Sequence, residues 1–301
     1  MITVLGSINM DLIASVTRLP NPGETVAGDN FVTAPGGKGA NQALAARRAG
    51  ASVAMAGACG EDEFAVPALT YLRFDGVNLD RVKSASTATG VALIFVGSDG
   101  ENVIAIVAGA NGMVGAEDAR AAVGGMKRGD TLMLQMEIPA PAIEAALVAA
   151  REKGVTSIVN IAPITTDAPR LAKMADIVIA NETEFELFCN KAGLDAKARE
   201  DEMMRLNQEG KQTIIVTLGA DGVVAVRNGE ICRAKGLTIE PVDTVGAGDT
   251  FCGYLAAGLD LGLKFDDALR RAAIAGSLAC LKAGAQPSVP VQAEIDRHAK
   301  P

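Results

Sequence analysis

The segment best suited to chemistry covers residues 243–251, Asp-Thr-Val-Gly-Ala-Gly-Asp-Thr-Phe. Apolar residues recur every fourth position from Phe251, which predicts a helix whose N-terminus is a turn over residues 246–249. Free N–H groups and the helix dipole make such an end attractive to an anion, and glycines let a phosphate approach closely. Asp249 could then accept the proton of an attacking hydroxyl. A glycine turn with a capping aspartate is the alternative.

A second glycine-rich segment, residues 36–41, precedes an Ala-rich helical stretch over residues 41–49. It is not a P-loop, because Gly and not Ser or Thr follows the lysine. Lys38 and Asn41 offer one cation and one amide, which suit the hydroxyls of a polyol. A flexible turn with a solvated lysine is the alternative interpretation.

Polar side chains also follow predicted strands. Asn9 and Asp11 come just after the apolar run at residues 2–5, and Glu137 follows the run at residues 131–136. An aspartate at such a strand end could accept two hydrogen bonds from neighbouring hydroxyls, or it could be an ordinary turn residue.

Residues 181–184, Asn-Glu-Thr-Glu, follow the apolar run at residues 177–180. Carboxylates at that position could hold the water shell of Mg²⁺. Helix capping by Asn181, with acidic residues in the first turn, explains the same pattern equally well.

Alternating strands and helices must position these groups. This alternation predicts βαβ units, a parallel sheet covered on both faces, and ligands beyond the carboxyl ends of the strands. The predicted strands are 2–5, 131–136, 157–160, 177–180 and 213–218, and the predicted helices after residue 130 include 140–153 and 197–209.

A separate β-rich region comes earlier in the chain. Residues 91–96 and 102–107 flank a turn sequence and predict a hairpin, which could form a small accessory sheet with the extended stretch around Phe31. We predict a single domain over residues 1–301, with the accessory sheet inserted as a lid from roughly residues 10–34 and 90–108.

Composition limits the kinds of partner that the chain is expected to bind. The chain has 301 residues, 49% of them apolar, and a net charge of −8, so nucleic acid and anionic membranes are poor partners and a small molecule is favoured. The absence of an export signal or a long apolar run, together with unpaired cysteine spacing, predicts a reducing, cytoplasmic location. The five cysteines are Cys59, Cys189, Cys232, Cys252 and Cys280.

Taken together, these segments resemble the ribokinase-like carbohydrate kinases, also called the phosphofructokinase B family. Six motifs occur in the family's order: residues 6–11, 35–41, 181–184, 217–219, 243–251 and 282–288. The resemblance implies a three-layer α/β/α fold with a mostly parallel central sheet and a small β-sheet lid. It implies ATP-dependent phosphorylation of a sugar hydroxymethyl group, with D-ribose as the expected acceptor and D-ribose 5-phosphate as the product.

The resemblance also implies roles for individual residues. The implied sugar-binding set is Asn9, Asp11, Gly37, Lys38, Asn41 and Glu137, together with Asp249 as the catalytic base. The anion hole would be Gly246, Ala247 and Gly248. ATP and Mg²⁺ would contact Asn181, Glu184, Thr217, Gly219, Gly222 and Gly248. A monovalent cation, K⁺ by expectation, would be held largely through backbone carbonyls by Asp243, Val245, Cys280, Ala283, Ala285 and Ser288. The lid would cover the sugar and supply a homodimer contact.

Two positions depart from the family pattern. Leu12 lies where a small residue and His are frequent, and Ala273 replaces a residue able to hydrogen-bond adenine. The acceptor therefore stays open to another sugar, a sugar acid or a nucleoside, although polar groups without an aromatic stacking partner favour a bare sugar. A sugar or nucleotide sensor without turnover is the non-enzymatic alternative.

Overall fold

A computed structural model describes residues 1–299. The strands, in chain order, are β1 Ile2–Leu5, β2 Asn9–Val16, β3 Gly28–Gly36, β4 Val53–Cys59, β5 Asn78–Ser84, β6 Gly90–Gly97, β7 Asn102–Val107, β8 Thr131–Leu134, β9 Thr156–Asn160, β10 Ile177–Asn181, β11 Thr213–Thr217, β12 Val223–Arg227 and β13 Glu230–Ala234. The helices are α1 Lys38–Arg48, α2 Ala65–Ala68, α3 Thr70–Phe74, α4 Ala116–Gly124, α5 Ala140–Lys153, α6 Ala168–Ala172, α7 Glu182–Phe188, α8 Ala196–Gly210, α9 Ala247–Asp260, α10 Phe265–Ala279, α11 Ala285–Ser288 and α12 Gln292–His298.

The central sheet has the order β13-β12-β11-β10-β9-β8-β1-β4-β5. In this spatial order the strands from β11 across to β5 pair in parallel. Strand β12 pairs antiparallel with β11, and β13 pairs antiparallel with β12 at the edge of the sheet. This arrangement confirms the predicted fold class. The carboxyl ends of β1, β8, β9, β10 and β11 therefore lie at the same end of the sheet, and α/β sheets bind their ligands at that end.

Both faces of the sheet are buried, because successive residues of the inner strands pack into different cores. Ile177 and Ile179 belong to one apolar cluster, and Val178 and Ala180 to the other. The first cluster includes residues of α1, α9 and α10, and the second includes residues of α5 and α8. Side chains alternate between the faces of a strand, so near-continuous apolar runs are required in this layer.

The second sheet has the order β3-β2-β6-β7, with β2 parallel to β6 and antiparallel to β3. Strands β6 and β7 form the predicted hairpin. Only three residues separate the end of β1 from the start of β2, which places this sheet next to the ligand-binding end of the central sheet. The single-domain assignment and the lid boundaries stay predictions.

Several elements differ in extent from the sequence prediction. Helix α1 begins at Lys38 and not at residue 41, and β8 ends at Leu134, two residues early, because the N–H of Met136 donates to the carbonyl of Ala162. The turn predicted over residues 246–249 is confined to Gly246, since α9 already begins at Ala247. Asp249 therefore lies inside the first helical turn. Within residues 1–299, no helix has the length and apolarity needed to cross a membrane.

Candidate active site

The N-terminus of α9 forms the centre of the site. Gly246 has φ 77°, a left-handed conformation that favours glycine, and its carbonyl accepts the N–H of Thr250 at 2.8 Å. Of the implied anion hole, the N–H of Ala247 already donates to the carbonyl of Thr244, whereas the N–H groups of Gly246 and Gly248, and that of Asp249, have no backbone acceptor among the described residues. A Cβ on Gly248 would meet no atom of residues 1–299 within 4 Å. The backbone there is open to an incoming anion.

The Asp249 carboxylate is held by two consecutive residues of α1. Asn41 Nδ2 donates to Oδ2 at 3.0 Å, and Gln42 Nε2 donates to Oδ1 at 2.9 Å. The side chain is only 7% exposed, so both contacts form in a poorly solvated environment. Asp249 nevertheless lines a cavity and is not turned into the apolar core.

A chain of buried amides that the sequence analysis did not identify lies next to Asp249. Gln42 Nε2 also donates to Asn160 Oδ1 at 3.2 Å, and Gln135 Nε2 donates to Gln42 Oε1 at 2.7 Å. Gln135 and Asn160 lie at or just beyond the carboxyl ends of β8 and β9. A polar side chain at the end of an apolar strand was the available sequence signal.

Asn9 is oriented by Asn111, another residue that the sequence analysis missed. The N–H of Ile8 can only donate, and it donates to Asn111 Oδ1 at 2.9 Å. Asn111 Nδ2 must therefore be the donor to Asn9 Oδ1, at 2.7 Å. This leaves Asn9 Nδ2 as a donor available to a ligand oxygen.

Asp11 lies two residues further along β2 and packs against the backbone of β3. A Cβ on Gly36 would come within 2.4 Å of its carboxylate oxygens, so only glycine fits there. Burial raises the pKa of Asp11 to about 7, and the negative charges of Glu137 and Asp249 add to the effect. Leu12 points to the opposite face of the strand.

Glu137 and Lys38 complete the polar set. Glu137 Oε2 accepts the hydroxyl of Ser7 and the N–H of Lys38, where α1 begins after Gly37, which has φ 89°. The charge of Asp249 raises the pKa of the Lys38 ammonium against the opposing effect of burial. Lys38 lines the same cavity as Asp249, so it lies between the predicted sugar and nucleotide groups.

Two adjoining cavities lie near the carboxyl ends of the strands of the central sheet. The first has a volume of about 210 Å³ and is lined by Lys38, Asn181, Glu184, Thr217, Gly248 and Asp249. The second, of about 360 Å³, is lined by Gly219, Gly222, Leu237, Ala247, Phe251 and Ala273. Thr217, Thr244 and Gly248 line both. A continuous cleft thus runs from the buried carboxylate to a largely apolar end.

Both interpretations of residues 181–184 are compatible with the structure. Asn181 Oδ1 accepts the N–H of Glu184 at 2.8 Å, and Glu184 Oε2 accepts the N–H of Asn181 at 2.9 Å. This reciprocal pair is a capping box at the start of α7. Both residues also line the first cavity.

Asp243 joins the two loops to which a monovalent cation was assigned. Its Oδ1 accepts the N–H of Val245 at 2.9 Å, and its Oδ2 accepts the N–H of Gly284 at 2.8 Å. Its own N–H donates to the carbonyl of Cys280 at 3.2 Å. The predicted ligand residues therefore lie on adjacent segments.

A family model described as "pfkB family carbohydrate kinase" matches residues 1–292. The chain belongs to the pfkB family of carbohydrate kinases. Ribokinase from Haemophilus influenzae is 35% identical over 294 residues, which cover 97% of this chain and 96% of that protein. Ribokinase from Schizosaccharomyces pombe is 36% identical over 306 residues, which cover 98% and 96%. The structure of Arabidopsis thaliana ribokinase complexed with ribose and ATP has a TM-score of 0.89 at 30% identity and covers 99% and 98% of the two chains.

Membership of the pfkB family confirms the predicted resemblance and the enzyme class. This carbohydrate kinase is a phosphotransferase with an alcohol group as acceptor. Asp249 and Gly248 line the same cleft. The roles of individual residues stay proposals.

Proposed function

We propose that this pfkB-family kinase transfers the γ-phosphoryl group of ATP to the hydroxymethyl oxygen of D-ribose and forms D-ribose 5-phosphate. One observation carries the proposal: Asp249, held at 2.9 and 3.0 Å by Gln42 and Asn41, lies one residue beyond the open backbone of Gly248. The relatives named as ribokinases, and the similar structure complexed with ribose and ATP, support this choice of substrates.

The acceptor would bind among Asn9, Asp11, Asn41 and Glu137. These residues offer amide and carboxylate groups, which match vicinal hydroxyls better than they match a nucleobase. Buried Asn41 Oδ1 has no hydrogen-bond partner among the described residues, so a sugar hydroxyl would satisfy it. The pocket chemistry therefore favours a bare sugar.

In the transfer step, Asp249 would accept the proton of the attacking hydroxymethyl oxygen. The Gly248 and Asp249 N–H groups and the Lys38 ammonium would stabilise the charge on the transferred phosphoryl group. The second sheet would cover the acceptor and exclude water, which otherwise competes for the phosphoryl group. Positioning and electrostatics dominate this mechanism, because phosphoryl transfer needs little covalent assistance.

The adenine end of ATP would occupy the apolar cavity beside Gly219, Gly222 and Ala273, where Ala273 offers only its methyl group. Asn181 and Glu184 would hold Mg²⁺ through its water shell, and the bound ion would supply positive charge beside the phosphates. No group of three or more His, Cys, Asp or Glu side chains in residues 1–299 could hold a metal by itself. That fits an ion bound chiefly by water and phosphate.

A monovalent cation, with K⁺ as the proposed ion, would lie between the loops joined by Asp243. The carbonyl of Ala285 accepts the hydroxyl of Ser288 at 2.9 Å, and Ala283 is exposed beside them. Gln286, in the same loop, is buried, and neither of its side-chain polar atoms has a partner within the described residues. A cation could coordinate Oε1, and a water could accept a hydrogen bond from Nε2, so the residues present fit a hydrated cation.

The decisive assay measures ATP consumption with D-ribose, deoxyribose, fructose and adenosine, each in K⁺, Na⁺ and a bulky organic cation. We expect the highest kcat/KM for D-ribose and faster turnover in K⁺. A preference for adenosine would identify a nucleoside kinase. Acceptor binding without ATP consumption would identify a sensor and contradict the proposed function.

We also propose a homodimer formed through the second sheet. Val103 and Ile104 on β7 are 54% and 50% exposed, and they point to opposite faces of an edge strand. Exposed apolar surface of this kind is typical of an interface. The double variant Val103→Lys and Ile104→Lys should sediment as a monomer where the unaltered chain sediments as a dimer.

Phe74→Lys is the matched control, because Phe74 is 85% exposed on α3 and outside this sheet. This control should remain dimeric. A dimer that survives both lysines on β7 would exclude the second sheet as the interface.

A cytoplasmic location is the corresponding proposal for the compartment. All five cysteines are free thiols in the structure. Free thiols persist in reducing compartments, which supports this location.

A further inference from the structure

Both N–H groups of the Gln42 side-chain amide donate hydrogen bonds at the site. One N–H of Nε2 donates to Asp249 Oδ1 at 2.9 Å, and the other donates to Asn160 Oδ1 at 3.2 Å. Its Oε1 accepts from Gln135 Nε2 at 2.7 Å. The four residues come from α1, α9, the end of β9 and the segment after β8.

The direction of this chain is set by the backbone. The carbonyl of Ile179 can only accept, and Asn160 Nδ2 donates to it at 3.2 Å. Asn160 Oδ1 is therefore the atom that faces Gln42, and the Gln42 atom opposite it must be the donor Nε2. A flipped Gln42 amide would place Oε1 against two acceptor oxygens and Nε2 against a donor. Only one amide orientation satisfies the site.

The chain is shielded from water, which strengthens each of these contacts. Gln42 is 1% exposed and Gln135 is 0% exposed. The absence of a side chain at Gly6 makes room for Gln135, since a Cβ there would lie 2.0 Å from Gln135 Oε1. Gln42 is thus buried and lines neither cavity, whereas its partners Asp249 and Asn160 both line the first cavity.

We propose that Gln42 is a positioning residue that fixes the plane of the Asp249 carboxylate, with Asn160 and Gln135 fixing Gln42 in turn. Asn41 holds the other carboxylate oxygen, so two adjacent residues of α1 prevent its rotation. The oxygen that receives the acceptor proton is then aimed before the substrates bind. This inference rests on the proposed function, in which Asp249 is the base.

The test replaces Gln42 by methionine, which keeps the length of the side chain and removes the N–H donors. Misaligned catalytic groups lose rate more than binding, so we expect kcat to fall roughly 10- to 100-fold. The KM values for ATP and D-ribose should change less than about 3-fold, because Gln42 is 1% exposed and lines neither cavity. Steady-state kinetics on the full chain separate these quantities.

Gln212→Met is the matched control. Gln212 is also a buried glutamine, and its Nε2 donates to the carbonyls of Ala172 and Ala175 at 2.6 and 2.5 Å. The control should lose thermal stability and retain its kcat. A merely structural role for Gln42 would give the same result as this control.

A double-mutant cycle supplies the decisive readout. If Gln42 acts through Asp249, adding Gln42→Met to Asp249→Asn should lower the residual kcat less than about 3-fold. A full additive loss, or an unchanged kcat in Gln42→Met alone, would overturn the inference. If Gln42→Met does not fold, Gln135→Met, which removes the donor to Gln42 Oε1 at a residue that lines neither cavity, replaces it in the same cycle. A lack of sugar phosphorylation by the unaltered chain would instead contradict the proposed function.

Discussion

Asp249→Asn should lower kcat by about 10²- to 10⁴-fold, on the usual scale for loss of a general base. Asparagine has the same shape but cannot take a proton. Its NH₂ group must also face one of the two amide donors that hold the carboxylate, Asn41 Nδ2 at 3.0 Å and Gln42 Nε2 at 2.9 Å. Folding should be retained, and the KM for D-ribose should change little. Steady-state kinetics and thermal unfolding measure the two effects.

Asp176→Asn is the control for that experiment. Asp176 Oδ2 accepts the N–H and the hydroxyl of Ser157, both at 2.7 Å, at the amino ends of β9 and β10. This variant should lose stability without losing kcat. Near-normal turnover by Asp249→Asn would mean that another group is the base.

Asp11→Asn should raise the KM for D-ribose by roughly 10²-fold, because hydrogen bonds to a charged group are worth about 1.5–3 kcal/mol and this carboxylate can accept two. The pKa of Asp11 is raised to about 7 by burial, with Glu137 and Asp249 adding to it. In the unaltered enzyme the KM should therefore fall as pH rises through about 7 and Asp11 ionises.

The same substitution should stabilise the fold at alkaline pH. The folded pKa of Asp11, about 7, lies above its ordinary value of 3.8, so its stabilising contribution is complete below about pH 4 and disappears as pH rises through 7. A shift of about 3 pKa units costs at most about 4 kcal/mol of unfolding free energy. Asp11→Asn avoids this cost, so its Tm should exceed that of the unaltered chain at pH 8, and the gain should vanish towards pH 4.

Asp62→Asn provides a control of opposite sign. Burial works to raise the pKa of Asp62, but hydrogen bonds from the Thr89 hydroxyl and N–H, together with those from the backbone of Phe64 and Ala65, outweigh it and hold the pKa below its usual value. That variant should lose stability at neutral pH. If Asp11→Asn also loses stability at pH 8, the Asp11 carboxylate does not carry the predicted desolvation cost.

Local features were predictable from the sequence because neighbouring residues determine them. Helix α5 has the predicted bounds, 140–153, and is followed by Gly154 in a left-handed conformation. The β6–β7 hairpin follows from two β-rich runs around a turn sequence. Strands β4 and β5 were not predicted. Strand β4, Val-Ala-Met-Ala-Gly-Ala-Cys, is rich in Ala and Gly, and β5 is a charged edge strand, so neither has a strong strand signal.

Some residues of the candidate site were likewise predictable from the sequence, and others were not. The motif around Gly246 marked Asp249, and positions just after predicted strands marked Asn9, Asp11 and Glu137. The resemblance carried by six motifs assigned the family that the comparisons confirm. Whether Asn181 caps a helix or faces the cleft could not be decided from spacing. The structure shows that it does both.

The sequence by itself determined the alternation of strands and helices, the glycine-rich turns and the identity of the central carboxylate, because these depend on residues close together in the chain. Only the tertiary structure revealed what holds that carboxylate. Gln42 is 207 residues from Asp249 and 93 residues from Gln135 in sequence. Hydrogen bonds between such distant residues leave no periodic pattern, since the packing of α1 against α9 and the sheet brings them together.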